Sequence, residues 1–166
     1  EDLYLCQQGG LPNRLFLQNP DGTMRDFSAE SKTDWMDYCA AALFVDLDND
    51  GDKDLVLSQD FKILFMQNID GKGHFELIFG SSTKAQSFSL SAADFDSDGL
   101  LDVYICGYNP SFSQARAGAL GEPIPFQDAN NGGNNILWRN EGNWTFKDVT
   151  SEVGLDADNT RFSFAA

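Results

Sequence analysis

The chain has 166 residues, of which 42% are hydrophobic and 13% aromatic, so it is long and apolar enough to form the core of one folded domain. Its 26 acidic residues outnumber 11 basic ones, and the net charge of −15 argues against nucleic acid and anionic membranes as partners, because phosphate binding requires lysine and arginine. No apolar run approaches the roughly 18–20 residues that cross a bilayer, so we expect no membrane insertion.

Short strands separated by turn residues make up the first half of the chain. Residues 1–8 (EDLYLCQQ) lack the basic start and the apolar stretch of a signal peptide. Residues 14–28 (RLFLQNPDGTMRDFS) and 63–78 (ILFMQNIDGKGHFELI) each contain an apolar strand ending in asparagine, a turn with glycine and an alternating aromatic strand, which predicts a β-hairpin. Between them, residues 41–59 (AALFVDLDNDGDKDLVLSQ) predict two strands joined by an acidic loop.

The second half of the chain repeats this order. Residues 90–108 (LSAADFDSDGLLDVYICGY) match residues 41–59 with a displacement of 48 residues, and residues 136–150 (ILWRNEGNWTFKDVT) predict a third hairpin. Only residues 148–155 (DVTSEVGL) indicate a turn of helix or a loop. The apolar spacing of two residues elsewhere favours strands and argues against a helical solenoid.

Each repeat unit contains four short strands: one entering the acidic loop, one leaving it, and the hairpin pair. A repeat of roughly 40–50 residues with four strands has the size of a β-propeller blade. We therefore predict an all-β chain of about three four-stranded antiparallel blades. Residues 1–166 form a single repeat region, with approximate repeats at 2–53, 54–101 and 102–166.

The third unit carries an insertion at residues 109–133 that is rich in glycine, proline, alanine and asparagine. Long loops inside a compact repeat are functional or disordered, and both alternatives stay open here. In a propeller this insertion would project from the face opposite the acidic loops. We treat it as a hypothetical binding surface for protein or carbohydrate.

Both ends of the chain match parts of the same unit. Asp2 stands where Asp54 and Asp102 stand, so the chain begins at a position just after an acidic loop. Residues 161–166 (RFSFAA) match the strand that leads into such a loop. We expect the sequence to come from a longer array, in which flanking blades or self-association complete the propeller.

The two acidic loops share the pattern D-x-D-x-D-G-x-x-D. Carboxylates at alternate positions of a tight loop converge on one point, and oxygen ligands in flexible geometry suit calcium better than magnesium. The residues are Asp46, Asp48, Asp50 and Asp54 in the first loop, and Asp94, Asp96, Asp98 and Asp102 in the second. Because the seventh position holds Asp52 in one loop and Leu100 in the other, a ligand there would have to be the backbone carbonyl.

Two other interpretations explain the acidic loops less well. An EF-hand loop requires glutamate at its twelfth position, where this chain has Leu57 and Ile105. A solvated acidic turn has no reason to recur, yet the pattern appears twice at equivalent repeat positions and between similar apolar strands. The repetition therefore favours a metal site.

The acidic loops and the third hairpin resemble a known repeat family. Residues 43–57 (LFVDLDNDGDKDLVL) and 91–105 (SAADFDSDGLLDVYI) resemble FG-GAP/VCBS repeats, the calcium-binding blades of integrin-α-type propellers. Residues 134–155 (NNILWRNEGNWTFKDVTSEVGL) resemble the VCBS-type repeats found beside ASPIC/UnbV domains and in cartilage-acidic-protein-like molecules. The resemblance covers essentially the whole chain except residues 109–133.

This resemblance implies a seven-bladed propeller in which the calcium loop joins the first two strands of a blade. It also implies two Ca²⁺ sites. The ligands carried over are Asp46, Asp48, Asp50, Asp54 and the Asp52 carbonyl for one ion, and Asp94, Asp96, Asp98, Asp102 and the Leu100 carbonyl for the other.

We expect a non-enzymatic module for protein or carbohydrate interaction or adhesion, located outside the cell, at the cell surface or in the periplasm. The only histidine, His74, lies in a predicted hairpin without a neighbouring nucleophile and is expected at the surface. One alternative is part of a carbohydrate-active enzyme of the polysaccharide lyase type, for which Arg116, Arg139 and Arg161 are the few candidate groups. Another is a purely structural scaffold.

Three cysteines, Cys6, Cys39 and Cys106, make an odd count that excludes a disulfide-rich scaffold. No cysteine and histidine stand at zinc-ligand spacing. Two interpretations stay open: three buried, reduced thiols, or one disulfide and one free thiol.

Overall fold

The computed structural model of the chain describes residues 2–110 and 132–165. Within these residues it contains eleven β-strands in three antiparallel sheets and no helix, which confirms the predicted all-β class. A helix long and apolar enough to cross a membrane is not found in the described residues. Most of the predicted insertion, including Arg116, lies outside the described residues.

Sheet 1 has three strands in the order β1 (Leu3–Leu5), β2 (Arg14–Gln18) and β3 (Met24–Asp26). The first predicted hairpin is confirmed, because β2 and β3 pair antiparallel. Its turn is closed by a 2.7 Å hydrogen bond from the Asn19 amide to the Thr23 carbonyl. The sequence pattern of asparagine followed by glycine therefore produces the tight turn that it predicts.

Sheet 2 is a four-stranded meander of consecutive strands. It consists of β4 (Cys39–Val45), β5 (Asp54–Gln59), β6 (Lys62–Asn68) and β7 (Phe75–Ser82). The first acidic loop connects β4 to β5, and the second predicted hairpin is formed by β6 and β7. The four strands are therefore those of the predicted blade.

Sheet 3 repeats this meander with β8 (Ala85–Ala93), β9 (Asp102–Pro110), β10 (Ile136–Asn140) and β11 (Phe146–Asp148). The second acidic loop connects β8 to β9, and the third predicted hairpin joins β10 to β11. The weak helical candidate at residues 148–155 forms turns after the last strand and no helix.

The sequence repeats and the sheets start at different strands. The approximate repeats 54–101 and 102–166 begin where an acidic loop ends, and the repeat 2–53 contains the first acidic loop at its end. In the sheets, the strands before and after such a loop pair with each other, as Val45 does with Asp54. The loop is therefore a connection within a blade.

Sheet 2 is the middle layer, because both of its faces carry buried apolar side chains. Leu55 and Leu57 of β5 pack toward sheet 1, whereas Val56 packs toward sheet 3. The two-residue period of a strand produces this alternation, so a strand covered on both faces is a continuous apolar run. The core between sheets 1 and 2 contains Leu15, Phe27, Cys39, Leu55, Leu57, Leu64, Met66 and Phe75. The core between sheets 2 and 3 contains Val45, Leu47, Val56, Ile63, Phe65, Val103, Ile105, Trp138 and Phe146.

Aromatic rings fill the interface between sheets 2 and 3. Phe65 is fully buried, and its ring stacks on that of Phe146 with centroids 4.2 Å apart. Phe79 meets Trp138 edge-on at 5.4 Å. These contacts hold the two sheets, and with them the two acidic loops, in a fixed relation.

The outward faces of sheets 1 and 3 carry exposed apolar side chains. On sheet 1, Leu3 and Leu5 are 53% and 43% exposed. On the outer side of sheet 3, Phe95, Val153 and Leu155 border a shallow cavity of about 360 Å³. Within the described part of the chain, each of these faces is an exposed apolar surface of the kind that packs against a further sheet.

Candidate metal centres

The two acidic loops have the same backbone conformation. The fourth residue of each loop has a positive φ, 61° at Asn49 and 64° at Ser97. The glycine at the sixth position follows with φ of 94° at Gly51 and 91° at Gly99. This left-handed region favours glycine, which is why the reversal of the loop coincides with the glycine of the motif.

Backbone amides orient the aspartates in the same way in both loops. In each loop the first aspartate accepts a hydrogen bond from the glycine amide, and the third accepts one from the amide two residues later. The distances are 3.2 Å for Gly51 to Asp46, 3.0 Å for Gly99 to Asp94, 3.0 Å for Asp52 to Asp50 and 2.8 Å for Leu100 to Asp98. An ionised carboxylate has about four acceptor sites, so these bonds leave lone pairs available for a cation.

Carboxylate oxygens converge in both loops. In each loop, one oxygen from each of three aspartates lies within 4.8 Å of the other two. Oxygens that share one calcium ion at about 2.3–2.6 Å lie no more than about 5 Å apart, so both groups have the spacing to hold a metal ion. The groups are Asp46, Asp48 and Asp50 in the first loop, and Asp94, Asp96 and Asp102 in the second.

The last aspartate of each motif is buried where the loop ends. Asp54 is 0% exposed and Asp102 is 1% exposed. Each accepts two backbone hydrogen bonds, from Leu47 (2.9 Å) and Asn68 (3.0 Å) at Asp54, and from Phe95 (3.1 Å) and Asn140 (2.8 Å) at Asp102. These residues therefore tie the loop to the third strand of the sheet. The ligand roles of all the predicted residues, including Asp54, Asp98 and the Asp52 and Leu100 carbonyls, stay predictions.

The first loop contains carboxylate oxygens that fit a cation. One oxygen each of Asp46, Asp48 and Asp52 is inaccessible to solvent and has no hydrogen-bond partner. Removing a charged oxygen from water without such a partner is unfavourable, and a bound cation removes that cost. The carboxylate of Asp52 was not a predicted ligand. Because Leu100 stands at the same position of the second loop, the sequence pattern predicts a backbone carbonyl as the ligand there.

Burial makes these carboxylates harder to ionise. It raises the pKa of Asp54 to about 6, and it also raises the pKa of Asp102. Burial and the neighbouring charges of Asp50, Asp48 and Asp46 raise the pKa of Asp52. Without a counter-ion, the loops therefore oppose full ionisation near neutral pH.

We expect the metal-free protein to lose stability as the pH rises from 4 to 7. Asp54 has a pKa of about 6 in the folded chain and about 3.9 when unfolded, so the folded state binds the proton more tightly in this window. By linkage, the free energy of unfolding then falls as the pH rises through these two values. Urea unfolding in chelator at several pH values measures this, with Asp54→Asn as the control that flattens the profile. Parallel profiles for both proteins would contradict the assignment.

Asp48 connects the first loop to sheet 3. Its Oδ2 atom accepts hydrogen bonds from Gln67 Nε2 at 2.9 Å and from Trp144 Nε1 at 3.2 Å. Trp144 lies in the turn between β10 and β11, so one oxygen of Asp48 is held by two sheets while the other remains unpartnered. The two loops also meet directly, because Asn49 Nδ2 donates to the Gly99 carbonyl at 2.9 Å.

A buried asparagine ends the third strand of sheets 2 and 3 and fastens the acidic loop beside it. The side-chain amide of Asn68 donates to the Lys53 carbonyl at 3.2 Å, and that of Asn140 donates to the Leu101 carbonyl at 3.3 Å. Asn140 also donates to the Leu47 carbonyl of the first loop at 2.7 Å. Sequence reasoning recognised these asparagines only as turn residues, although their recurrence at one repeat position was a signal.

Two of the basic candidates for catalysis, His74 and Arg139, contact acidic side chains of the hairpins. His74 Nδ1 lies 2.8 Å from Asp70 Oδ2, and its ring meets that of Phe27 edge-on at 4.9 Å. Arg139 forms a 2.6 Å ion pair with Glu141. These contacts place both side chains in local structure next to the strands of the blades.

Three layered antiparallel sheets, two of which carry the same acidic loop between their first two strands, define the chain as a β-propeller-type repeat protein. Residues 1–57, which contain sheet 1, β4 and the first acidic loop, match the family model described as the FG-GAP-like repeat. This part of the chain is similar to the FG-GAP-like repeat, and repeats of this kind form β-propeller blades, so the predicted resemblance and fold class are confirmed. No curated protein matches the chain.

Proposed function

We propose that this chain is a calcium-stabilised, non-enzymatic portion of a β-propeller that serves as an interaction module. The observation that carries the proposal is the set of solvent-inaccessible, unpartnered oxygens of Asp46, Asp48 and Asp52 in the first loop. Buried anionic oxygens of this kind are unfavourable unless a cation neutralises them. The second loop supports a second site, because it repeats the backbone conformation and the orienting hydrogen bonds of the first.

Calcium suits the ligand set of both loops. The donors are oxygens, and calcium takes six to eight oxygens in flexible geometry, whereas magnesium requires a strict octahedron. Asp54 and Asp102 accept one backbone hydrogen bond at each oxygen, which leaves further lone pairs for a metal. The proposed ligands are Asp46, Asp48, Asp50, Asp54 and the Asp52 carbonyl in the first site, and Asp94, Asp96, Asp98, Asp102 and the Leu100 carbonyl in the second.

The proposed role of the ions is structural. Calcium, when bound, supplies positive charge to a loop whose carboxylates otherwise repel one another. The loop connects two neighbouring strands of a blade, and backbone amides of Gly51 and Gly99 already hold the first aspartates in place. Because the folded loop is the binding-competent form, binding free energy adds to the free energy of folding.

The proposed interaction role rests on the type of repeat and on the outward faces of the sheets. FG-GAP-like repeats are typical of extracellular interaction modules, so we propose an extracellular, cell-surface or periplasmic location and a protein or glycan ligand. The exposed apolar residues Leu3 and Leu5 on one side, and Val153 and Leu155 on the other, support flanking blades or a second copy as their cover.

Binding and turnover assays on the complete protein test this proposal. We expect a glycan or protein array to retain the protein in calcium and to release it in chelator, and we expect no bond cleavage in a polysaccharide lyase assay. Product formation above background would contradict a non-enzymatic role. An array without any ligand in either condition would favour the scaffold alternative.

A further inference from the structure

Two of the three cysteines lie side by side between sheets 1 and 2. Cys6 follows β1 of sheet 1, and Cys39 is the first residue of β4 in sheet 2. Their Sγ atoms are 2.7 Å apart. Non-bonded carbon atoms in contact are about 3.5–4.0 Å apart and sulfur is larger, whereas a disulfide bond is about 2.05 Å long. The two sulfurs are therefore closer than an ordinary contact between thiols.

The backbone holds the two cysteines in this position. The segment after Cys6 runs alongside the segment before Cys39 and is joined to it by several backbone hydrogen bonds. These bonds are Cys39 to Gln7 at 3.0 Å, Gly10 to Met36 at 2.8 Å and Asn13 to Trp35 at 2.9 Å. The paired backbone thus keeps the two cysteines next to each other.

The surroundings of the pair suit thiol–disulfide exchange. Cys6 is partly exposed, whereas Cys39 is only 5% exposed, so an external reagent reaches Cys6 first. The hydrogen bond between the thiols lowers the pKa of Cys6 and raises that of Cys39. Because the thiolate is the attacking species, Cys6 is the better nucleophile of the two.

We propose that Cys6 and Cys39 form an inter-sheet disulfide by exchange with a low-molecular-weight disulfide such as oxidised glutathione. The Cys6 thiolate attacks one glutathione sulfur, which breaks the glutathione disulfide and releases one glutathione thiolate. Cys39 then loses its proton and attacks the Cys6 sulfur of the mixed disulfide, which releases the second glutathione. The two cysteines are oxidised by two electrons in total, and the two glutathione sulfurs are reduced by the same number.

The bond would fasten sheet 1 to sheet 2. It would join residues 33 positions apart, and a crosslink of this length stabilises a chain mainly by restricting its unfolded state. We expect reduction to lower the melting temperature by about 10 °C. Disulfides persist in oxidising compartments, but the proposal rests on the geometry of the pair and is independent of the calcium sites.

Thiol counting and peptide mapping test the proposal on the chain itself. After incubation with oxidised glutathione, denatured protein should contain one free thiol, at Cys106, and non-reducing mass spectrometry should link the peptides of Cys6 and Cys39. After reduction the protein should contain three free thiols. Cys106→Ala is the matched control. Because Cys106 is buried in β9 of sheet 3, away from the pair, this substitution should leave the link between Cys6 and Cys39 intact.

The variant Cys6→Ala removes the partly exposed partner, so it keeps the test usable if replacement of the buried Cys39 prevents folding. It should lose both the linked peptide and the effect of reductant on the melting temperature. Three free thiols in the glutathione-treated wild type, or a link through Cys106, would overturn the proposal. Equal melting temperatures for oxidised and reduced wild type would refute the stabilising role of the bond.

Discussion

We expect a calcium chelator to lower the melting temperature of this protein by about 10–20 °C. Calcium at about 100 times its Kd contributes about 2.7 kcal/mol per site, so two sites contribute about 5 kcal/mol. For a chain of this size, 1 kcal/mol corresponds to roughly 2–4 °C in melting temperature. Calorimetry or circular dichroism in chelator and in millimolar calcium measures the difference.

Single variants measure how much each loop contributes to the calcium-dependent shift in melting temperature. Asp48→Ala and Asp96→Ala should each remove about half of the calcium-dependent shift. Asp48 also accepts hydrogen bonds from Gln67 and Trp144, so its replacement lowers stability even without calcium, and the comparison must use the shift rather than the melting temperature itself. Asp34→Ala removes a charge outside the loops and should keep the full shift. Coincident wild-type melting curves in chelator and in calcium would refute the structural role of the metal.

We expect Asn140→Ala to lower the free energy of unfolding by about 2–4 kcal/mol. The Asn140 side chain is 1% exposed, donates to the carbonyls of Leu47 and Leu101, and accepts a hydrogen bond from the Gly142 amide. Alanine would remove the side-chain partner of the buried Leu47 carbonyl and of the partly buried Leu101 and Gly142 groups. The substitution therefore weakens the second loop, the third hairpin and the contact between sheets 2 and 3 together.

Asn68→Ala is the matched control for this prediction. Asn68 stands at the equivalent position of sheet 2, donates to the Lys53 carbonyl as Asn140 does to Leu101, and accepts a hydrogen bond from the Gly73 amide of its own hairpin turn. Among the hydrogen bonds described here, only Asn140 adds a bond to a neighbouring sheet, through Leu47. Urea unfolding should therefore show a smaller loss for Asn68→Ala than for Asn140→Ala. An equal or larger loss would mean that the inter-sheet bond contributes little.

Features set by neighbouring residues were predictable from the sequence. The hairpin turns follow from asparagine and glycine at positions that need unusual backbone angles, as the φ of 84° at Gly22 in the first hairpin illustrates. The strands follow from their period of two residues, and the acidic loops from the spacing of the aspartates. Repetition of the loop pattern at Asp94 made this interpretation firm, because chance seldom repeats a nine-residue pattern at equivalent positions.

Contacts between sheets were not predictable in the same way. Trp144 and Asp48 are 96 positions apart, and their hydrogen bond depends on how sheet 3 packs on sheet 2. Trp144 has no counterpart in the other hairpins, so the repeat carries no signal for it. The pairing of Cys6 with Cys39 has the same character, since three cysteines allow three pairings and only the folded backbone distinguishes them.

The differences in burial and hydrogen bonding among the aspartates were also visible only in the structure. The sequence motif does not distinguish its four aspartates, but their burial differs. Asp54 is fully buried and accepts hydrogen bonds from two backbone amides, whereas Asp50 is exposed at the tip of the loop. Exposure depends on the third strand and the next sheet, which a local pattern does not describe. The environment of each aspartate therefore depends on the packing of the sheets as well as on the motif.

Isothermal titration of the chelator-treated protein with calcium measures directly whether both acidic loops bind the metal. We expect two calcium ions bound per wild-type chain, one in Asp48→Ala, one in Asp96→Ala, and none in the double variant. Two ions bound by every variant, or no binding by the wild type at millimolar calcium, would contradict this expectation.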